Sequence, residues 1–374
     1  MRVAFILAGL DAGGAERIVD LLSRAALAQG WEATIVTFDR PADPIFHRYD
    51  DRVRLRRLAL PVPATRAARL LLPLRRVRAL HRLLRAERFD VAVSFLTKIN
   101  VLALLARFGT ATPMIVSERN NPLRQRASFV WRMLLDRLYP GAAAIVMQTE
   151  RSKACLPSAQ RARAVVIPNP MLAPRPEPRT PAPPTMVAVG RLNEQKGFDL
   201  LLDSFAAISG QVADWRLVIF GDGPDRARLE QQIERLGLAG RVALPGASAT
   251  PAAWIAACDL FVLSSRYEGF PNVLAEAMAS GLPVVAFDCD FGPAEMITDD
   301  VDGLLVPSED SGALAAAMLR LASDEPLRGR LGAAAASGVA RFDSGEVNRR
   351  WIDLIAKSAA PRRRRSGISS RRLA

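Results

Sequence analysis

The residue pattern is that of an α/β protein with two doubly wound domains facing across a cleft. Short continuous apolar runs alternate with amphipathic helical patterns along both halves of the chain, as strands buried on both faces of a parallel sheet do. Eight prolines fall among the seventeen residues from Pro168 to Pro184, a density that no helix or strand interior accepts, so the halves are separate units. The length, 374 residues with 50% of them apolar, exceeds one ordinary domain and supplies a core for two.

In chain order, Arg2 to Ala8 is the first expected strand. Its apolar run leads into Asp11 and a glycine loop, with no basic leader before it or small-residue cleavage site after it, which sets aside a signal peptide. Further strands are expected at Ala33 to Phe38, Asp90 to Phe95, Met114 to Ser117, Ala143 to Gln148 and Ala164 to Ile167, with helical spacing clearest at Ala15 to Ala28. After the prolines, strands follow at Met186 to Val189, Leu217 to Phe220, Leu260 to Leu263, Val284 to Phe287 and Leu304 to Val306. Helices are expected at Phe198 to Ile208, Asp225 to Leu236, Asn272 to Ser280 and Ala313 to Ala322, and Ser344 to Ala356 reads as a helix crossing back to the first domain. The expected division is 1–168, a linker at 169–184, 185–343, a crossover helix within 344–360 and a disordered basic tail at 361–374.

Composition narrows the chemistry. Cys155, Cys258 and Cys289 are odd in number and widely spaced, which argues against a disulfide framework or zinc site and fits a reducing cytoplasm. His47 and His81, both expected at the surface, lie near no nucleophile motif. No run approaches the ~18 to 20 apolar residues of a spanning helix, so membrane contact is expected to be peripheral. The formal charge of +13 is uneven: residues 1 to 170 carry +15, 171 to 360 carry −8 and 361 to 374 carry +6. From Arg66 to Arg88 arginines interleave with leucines at helical spacing, interrupted by Pro73. That pattern suits either a packed surface helix or one docked on an anionic membrane. No nucleic-acid motif accompanies it.

Loops at strand ends carry the candidate chemistry. Gly9, Gly13 and Gly14 make either an anion-holding turn or an ordinary one. Their spacing is not G-x-G-x-x-G, which weighs against a dinucleotide dehydrogenase although Asp39 ends the second strand. Arg191 and Lys196, in VGRLNEQKGF, suit a diphosphate unless they are simply solvated. Asp222, in FGDGP, can cap the helix after it. The densest constellation is SSRYEGFPNVLAEAMASG, Ser264 to Gly281. There Glu268 in a loop and Glu276 one turn inside a helix can meet a sugar ring and ribose hydroxyls, with the free amides of the helix start facing the phosphates between them.

On these residues the sequence, over positions 1 to 357, resembles the retaining nucleotide-sugar glycosyltransferases of family 4, which have the GT-B fold. Glu268 to Glu276 matches the E-x7-E signature, Gly190-Arg191 to Lys196-Gly197 a shortened GR-x5-KG, and Gly221 to Pro224 and Val242 to Gly246 the GDGP and VxxxG elements. The resemblance implies that Arg191 and Lys196 neutralise the donor diphosphate, Glu276 binds ribose and Glu268 contacts the transferred hexose. It implies that the backbone from Phe270 through Asn272 to Val273 holds phosphate, with Gly14 meeting the donor from the first domain and Val242 to Gly246 facing the base. It implies no metal and no cofactor, Asp288-Cys289-Asp290 being a loop after a strand.

GGAER (Gly13 to Arg17), SERNNP (Ser117 to Pro122) and DCDFGPAE (Asp288 to Glu295) are similar to bacterial surface-polysaccharide and lipid-linked glycan assembly enzymes. Many family members place a histidine where Ser117 to Asn120 stands, which makes Glu118, Arg119 and Asn120 the acceptor-side candidates. The function expected from the resemblance is metal-independent, retaining transfer of a hexose or N-acetylhexosamine from a nucleotide diphosphate sugar, with UDP the expected nucleotide, to a lipid-linked or nascent glycan. The expected place is the cytoplasmic face of the cell membrane, with Arg66 to Arg88 on an anionic surface and no nucleic-acid partner. The rivals are a nucleotide-sugar 2-epimerase or hydrolase on the same fold, and a non-catalytic glycan-assembly subunit; intact Glu268, Glu276, Arg191 and Lys196 argue against the last.

Overall fold

The computed structural model describes residues 1–10, 14–119, 121, 129–171, 183–248 and 250–359, with the backbone alone at 66–68, 129–130 and 251. The basic tail, Asn120, Gly13 and most of the proline segment lie outside the described residues.

The first half forms one parallel sheet from Arg2–Ile6 (β1), Glu32–Thr37 (β2), Arg54–Arg57 (β3), Val91–Phe95 (β4), Met114–Ser117 (β5), Ala144–Met147 (β6) and Ala164–Val166 (β7). Its order is β3-β2-β1-β4-β5-β6-β7. The helices are Gly14–Ala28 (α1), Arg66–Glu87 (α2), Thr97–Ala106 (α3), Phe129–Leu138 (α4), Glu150–Ala154 (α5) and Ser158–Arg161 (α6). The second sheet, also parallel, contains Thr185–Val189 (β8), Arg216–Phe220 (β9), Val242–Gly246 (β10), Leu260–Leu263 (β11), Val284–Asp288 (β12) and Leu304–Pro307 (β13), in the order β10-β9-β8-β11-β12-β13. Its helices are Phe198–Ile208 (α7), Arg226–Arg235 (α8), Pro251–Ala256 (α9), Asn272–Ala279 (α10), Pro293–Met296 (α11), Ser311–Ser323 (α12) and Glu325–Gly338 (α13), and Ser344–Ser358 (α14) follows.

Helices cover both faces of each sheet, which is why the central strands read as unbroken apolar runs: every residue of β4, β5, β6 and β11 is buried. In the first domain α1 packs on one face through Ile18, Val19 and Leu22, and α2 and α3 pack on the other through Leu80, Leu84 and Leu102. In the second, α7, α8 and α12 oppose α9 and α10. The long α14 leaves the second domain and places Val347, Trp351 and Ile355, all fully buried, in the core beneath α1.

Four expectations need correction. β3 and β10 were not anticipated as strands: they are sheet edges with half-exposed side chains, so neither carries a buried-strand pattern. Pro73 does not interrupt α2, because the inward face anchored by Leu80 and Leu84 holds the helix together despite the lost N–H. His47 and His81 are half-buried rather than surface residues, and His81 Nδ1 lies 2.9 Å from the Ala106 carbonyl oxygen. Asp222 does not cap α8; it pairs with Arg226 at 2.7 Å and accepts the Ala247 N–H at the end of β10.

The strand order turns between β1 and β4 and again between β8 and β11. Loops leaving the carboxyl ends of strands at such switch points diverge and open a crevice. The Gly14, Lys196 and Glu268 segments all leave these ends, and the loop after β5 joins them.

Candidate active site

The second domain builds the site from two loops bound to each other. After β8 the chain passes Arg191, which is exposed and has no ion pair among the described residues, and reaches Lys196. Gly197 then adopts φ +60°, and a Cβ there would lie 2.1 Å from the Ser264 carbonyl oxygen, so only glycine lets this loop approach the end of β11. Across the join, the Ser264 hydroxyl donates to the Lys196 carbonyl at 2.9 Å, the Arg266 N–H to the Gln195 carbonyl at 2.8 Å, and Gln195 Nε2 to the Tyr267 carbonyl at 3.0 Å. An Arg266–Asp199 ion pair at 2.7 Å ties the loop to α7.

That join brings Lys196 Nζ within 2.7 Å of Glu268 Oε1, and the Ser265 hydroxyl donates to the same oxygen at 2.7 Å. Glu268 is 5% exposed. Phe270 is buried edge-on against Phe342 and Pro271 precedes α10, whose first-turn N–H groups at Asn272 and Val273 have no intrahelical acceptor. One turn on, Glu276 is 6% exposed. Burial pushes its carboxyl pKa up, against the opposing pull of a cation from the other domain: Arg17 Nη1, on α1, donates to Glu276 Oε1 at 2.9 Å.

Gly14 opens α1 facing this helix start, 3.6 Å from Asn272 Nδ2 measured from an added Cβ. Between the domains lies a narrow pocket, lined by Gly14, Arg17 and Ile18 on one side and by Phe270, Asn272 and Glu276 on the other.

The loop after β5 divides its two described candidates. Glu118 is buried and accepts from Thr97 Oγ1 at 2.6 Å, Asn100 Nδ2 at 3.1 Å and the Tyr139 hydroxyl. Burial, reinforced by the Glu118 charge, raises the Tyr139 pKa well above its usual value and keeps the phenol protonated as a donor. Arg119 lies over the rings of Phe95 and Trp351 and donates to Asn169 Oδ1 at 2.5 Å. Burial lowers its pKa to about 9, with Glu118 acting in the opposite sense, so it stays cationic at neutral pH. Asn169 passes the link on, donating to Asn272 Oδ1 at 2.7 Å. Asn120 lies outside the described residues.

The fold therefore brings Gly14, Phe270, Asn272 and Glu276 to one pocket, pairs Lys196 with Glu268 in the loops before α10, leaves Arg191 exposed and turns Glu118 inward. Asp288 is engaged by Arg151 at 2.8 Å, and the Glu295 carboxylate accepts the Glu150 and Arg151 N–H groups at 2.8 and 2.9 Å, a second bridge between the domains. Sequence reasoning did not assign roles to Arg17, Asn169 or Ser265. One signal for Arg17 was available: a cation in the first turn of a helix opposes the macrodipole and implies an anionic partner.

Two parallel α/β domains, a crevice at their switch points and a helix returning to the first make up the GT-B arrangement. Residues 13–170 match the family described as glycosyl transferase 4-like domain and residues 183–324 that described as glycosyl transferases group 1, so both halves of the chain belong to glycosyltransferase families. It is 27% identical over 361 residues to an α-1,4-N-acetyl-D-galactosaminyltransferase of Campylobacter jejuni named for a diNAcBac-PP-undecaprenol-linked GalNAc acceptor, covering 96% of this chain and 99% of that protein. It is 34% identical over 286 residues to an exopolysaccharide phosphotransferase of Streptomyces coelicolor, covering 73% of this chain but 30% of that longer protein. Among solved structures, a sucrose-phosphate synthase of Thermosynechococcus elongatus has TM-score 0.83 at 22% identity, covering 95% of this chain and 98% of that one. An Anabaena protein in complex with UDP has TM-score 0.75 at 21% identity, covering 96% and 100%. These structural likenesses show the fold.

Proposed function

We propose that this glycosyltransferase moves a hexose or N-acetylhexosamine from a UDP-sugar to a lipid-linked or nascent glycan, with retention and without a metal. The observation that carries the reading is the pair of buried carboxylates on either side of the open start of α10, Glu268 and Glu276, each held by a cation. In this reading the second domain, residues 185–343, binds donor and the first, residues 1–168, receives acceptor. UDP in the Anabaena neighbour and the α-1,4 product named for the Campylobacter relative support the donor and the stereochemistry.

The acceptor hydroxyl attacks the anomeric carbon from the face the diphosphate leaves. As the bond from that carbon to the diphosphate oxygen breaks, the hydroxyl proton passes to the departing phosphate. Positive charge on the sugar develops beside Glu268, and negative charge on the diphosphate faces Lys196, Arg191 and the amides of Asn272 and Val273.

The first domain also carries the membrane-facing feature. Along α2, Leu70, Leu71 and Leu74 are exposed, Leu70 by 83%, among exposed Arg69, Arg75, Arg78 and Arg82. This surface suits peripheral attachment to the anionic cytoplasmic leaflet. No helix among the described residues is long and apolar enough to cross a membrane.

The test is incubation with UDP-glucose, UDP-galactose and their N-acetylamino forms together with an undecaprenyl-diphosphate-linked saccharide, with EDTA present. The expected result is UDP release matched by a mass gain of one sugar on the lipid, with an α-anomeric NMR coupling. UDP release without that gain marks a hydrolase or epimerase, and loss in EDTA restored by a divalent ion reopens Asp288 and Asp290 as ligands.

A further inference from the structure

The contact between Arg17 and Glu276 joins residues 259 apart in sequence and crosses the cleft. Glu276 is buried while the Arg17 side chain is 37% exposed, so the carboxylate depends on the arginine more than the reverse. The bond is made to Oε1, which leaves Oε2 as an acceptor for the hydroxyls of a ribose in the pocket that both residues line. Arg17 also stands in the first turn of α1, where the helix dipole disfavours a cation that lacks an anionic partner.

We infer that Arg17 is a positioning residue for the donor: from the first domain it holds Glu276 in the orientation that accepts the nucleotide's ribose hydroxyls. The inference rests on the reading of Glu276 as the ribose ligand. It makes ribose recognition a property of both domains although Glu276 itself lies in the second. Without Arg17 the carboxylate loses its charged donor, and the affinity contributed by ribose falls while phosphate and base contacts are unaffected.

Calorimetric titration with UDP and with dideoxy-UDP, which lacks both ribose hydroxyls, separates the possibilities in the full chain. Arg17→Met is expected to weaken UDP about tenfold or more, to leave dideoxy-UDP at the parent's affinity, and to add nothing in a Glu276→Gln background. Arg17→Lys is expected to restore part of the loss, since it returns the charge without the guanidinium geometry. Unchanged UDP affinity in Arg17→Met, equal weakening of UDP and dideoxy-UDP, or full additivity with Glu276→Gln each overturns the inference. A parent protein that binds neither ligand overturns the UDP-donor reading itself and the inference with it.

Discussion

Glu268 and Glu276 look equivalent in sequence, eight positions apart around one helix start, yet their surroundings separate their tasks. Glu268 is held inside the second domain by Lys196 and Ser265, whereas Glu276 takes its cation from the first. A carboxylate fixed beside a developing positive charge acts in the transition state more than in the ground state. Glu268→Gln is therefore expected to lower turnover about a hundredfold or more while donor KM changes by a few-fold at most; turnover near that of the parent would remove Glu268 from the chemistry. Lys196→Ala removes the cation proposed to face the diphosphate and strands the Glu268 charge at once. Its effect on kcat/KM, combined with Glu268→Gln, should fall short of the product of the two single losses, and a full product would place the two groups in separate roles.

Among the elements, α2 divides its residues most sharply. Leu80 and Leu84 lie in the core, and Arg76 is committed as well: it donates twice to the Leu60 carbonyl and stacks over Phe38 at 4.8 Å. Arg75, Arg78 and Arg82 are exposed. Each is worth on the order of 1 kcal/mol on an anionic surface, so replacing these three with Glu should strongly reduce sedimentation with phosphatidylglycerol vesicles, and binding by the parent should weaken as salt rises. Equal sedimentation of parent and variant would make α2 a packed surface helix and nothing more. Arg76 must be left in place, because its loss removes packing together with charge.

At the scale of the molecule, two domains become one working unit through contacts remote from each other in the chain. Trp351 of α14, fully buried, lies 6.1 Å from the Phe95 ring and under Arg119, which leads through Asn169 to Asn272 at the start of α10. Trp351→Ala should cost about 3 to 5 kcal/mol of first-domain stability in chemical denaturation. It should also weaken UDP binding, since Arg119 loses one of the rings that hold it. A stability loss with unchanged UDP affinity would confine α14 to a scaffolding role.

The central strands and the helices that carry an apolar stripe were legible locally, because a strand buried on both faces or a helix with one buried face is written in neighbouring residues. So were Lys196 and Glu268 as candidates, since charged groups beside glycines in loops after strands stand out, and Glu276, a lone carboxylate in an apolar helix eight positions after Glu268. The edge strands β3 and β10 were not legible, because a half-exposed edge tolerates almost any side chain. Nor were the partners of the charges: Arg17 meets Glu276, Glu118 turns inward to Tyr139, and Asp222 reaches β10, each through contacts set by how helices pack on sheets and how the domains meet. Periodicity records which face of an element is buried, but an ion pair between residues 259 apart exists only once two cores have formed and brought their loops to the same cleft.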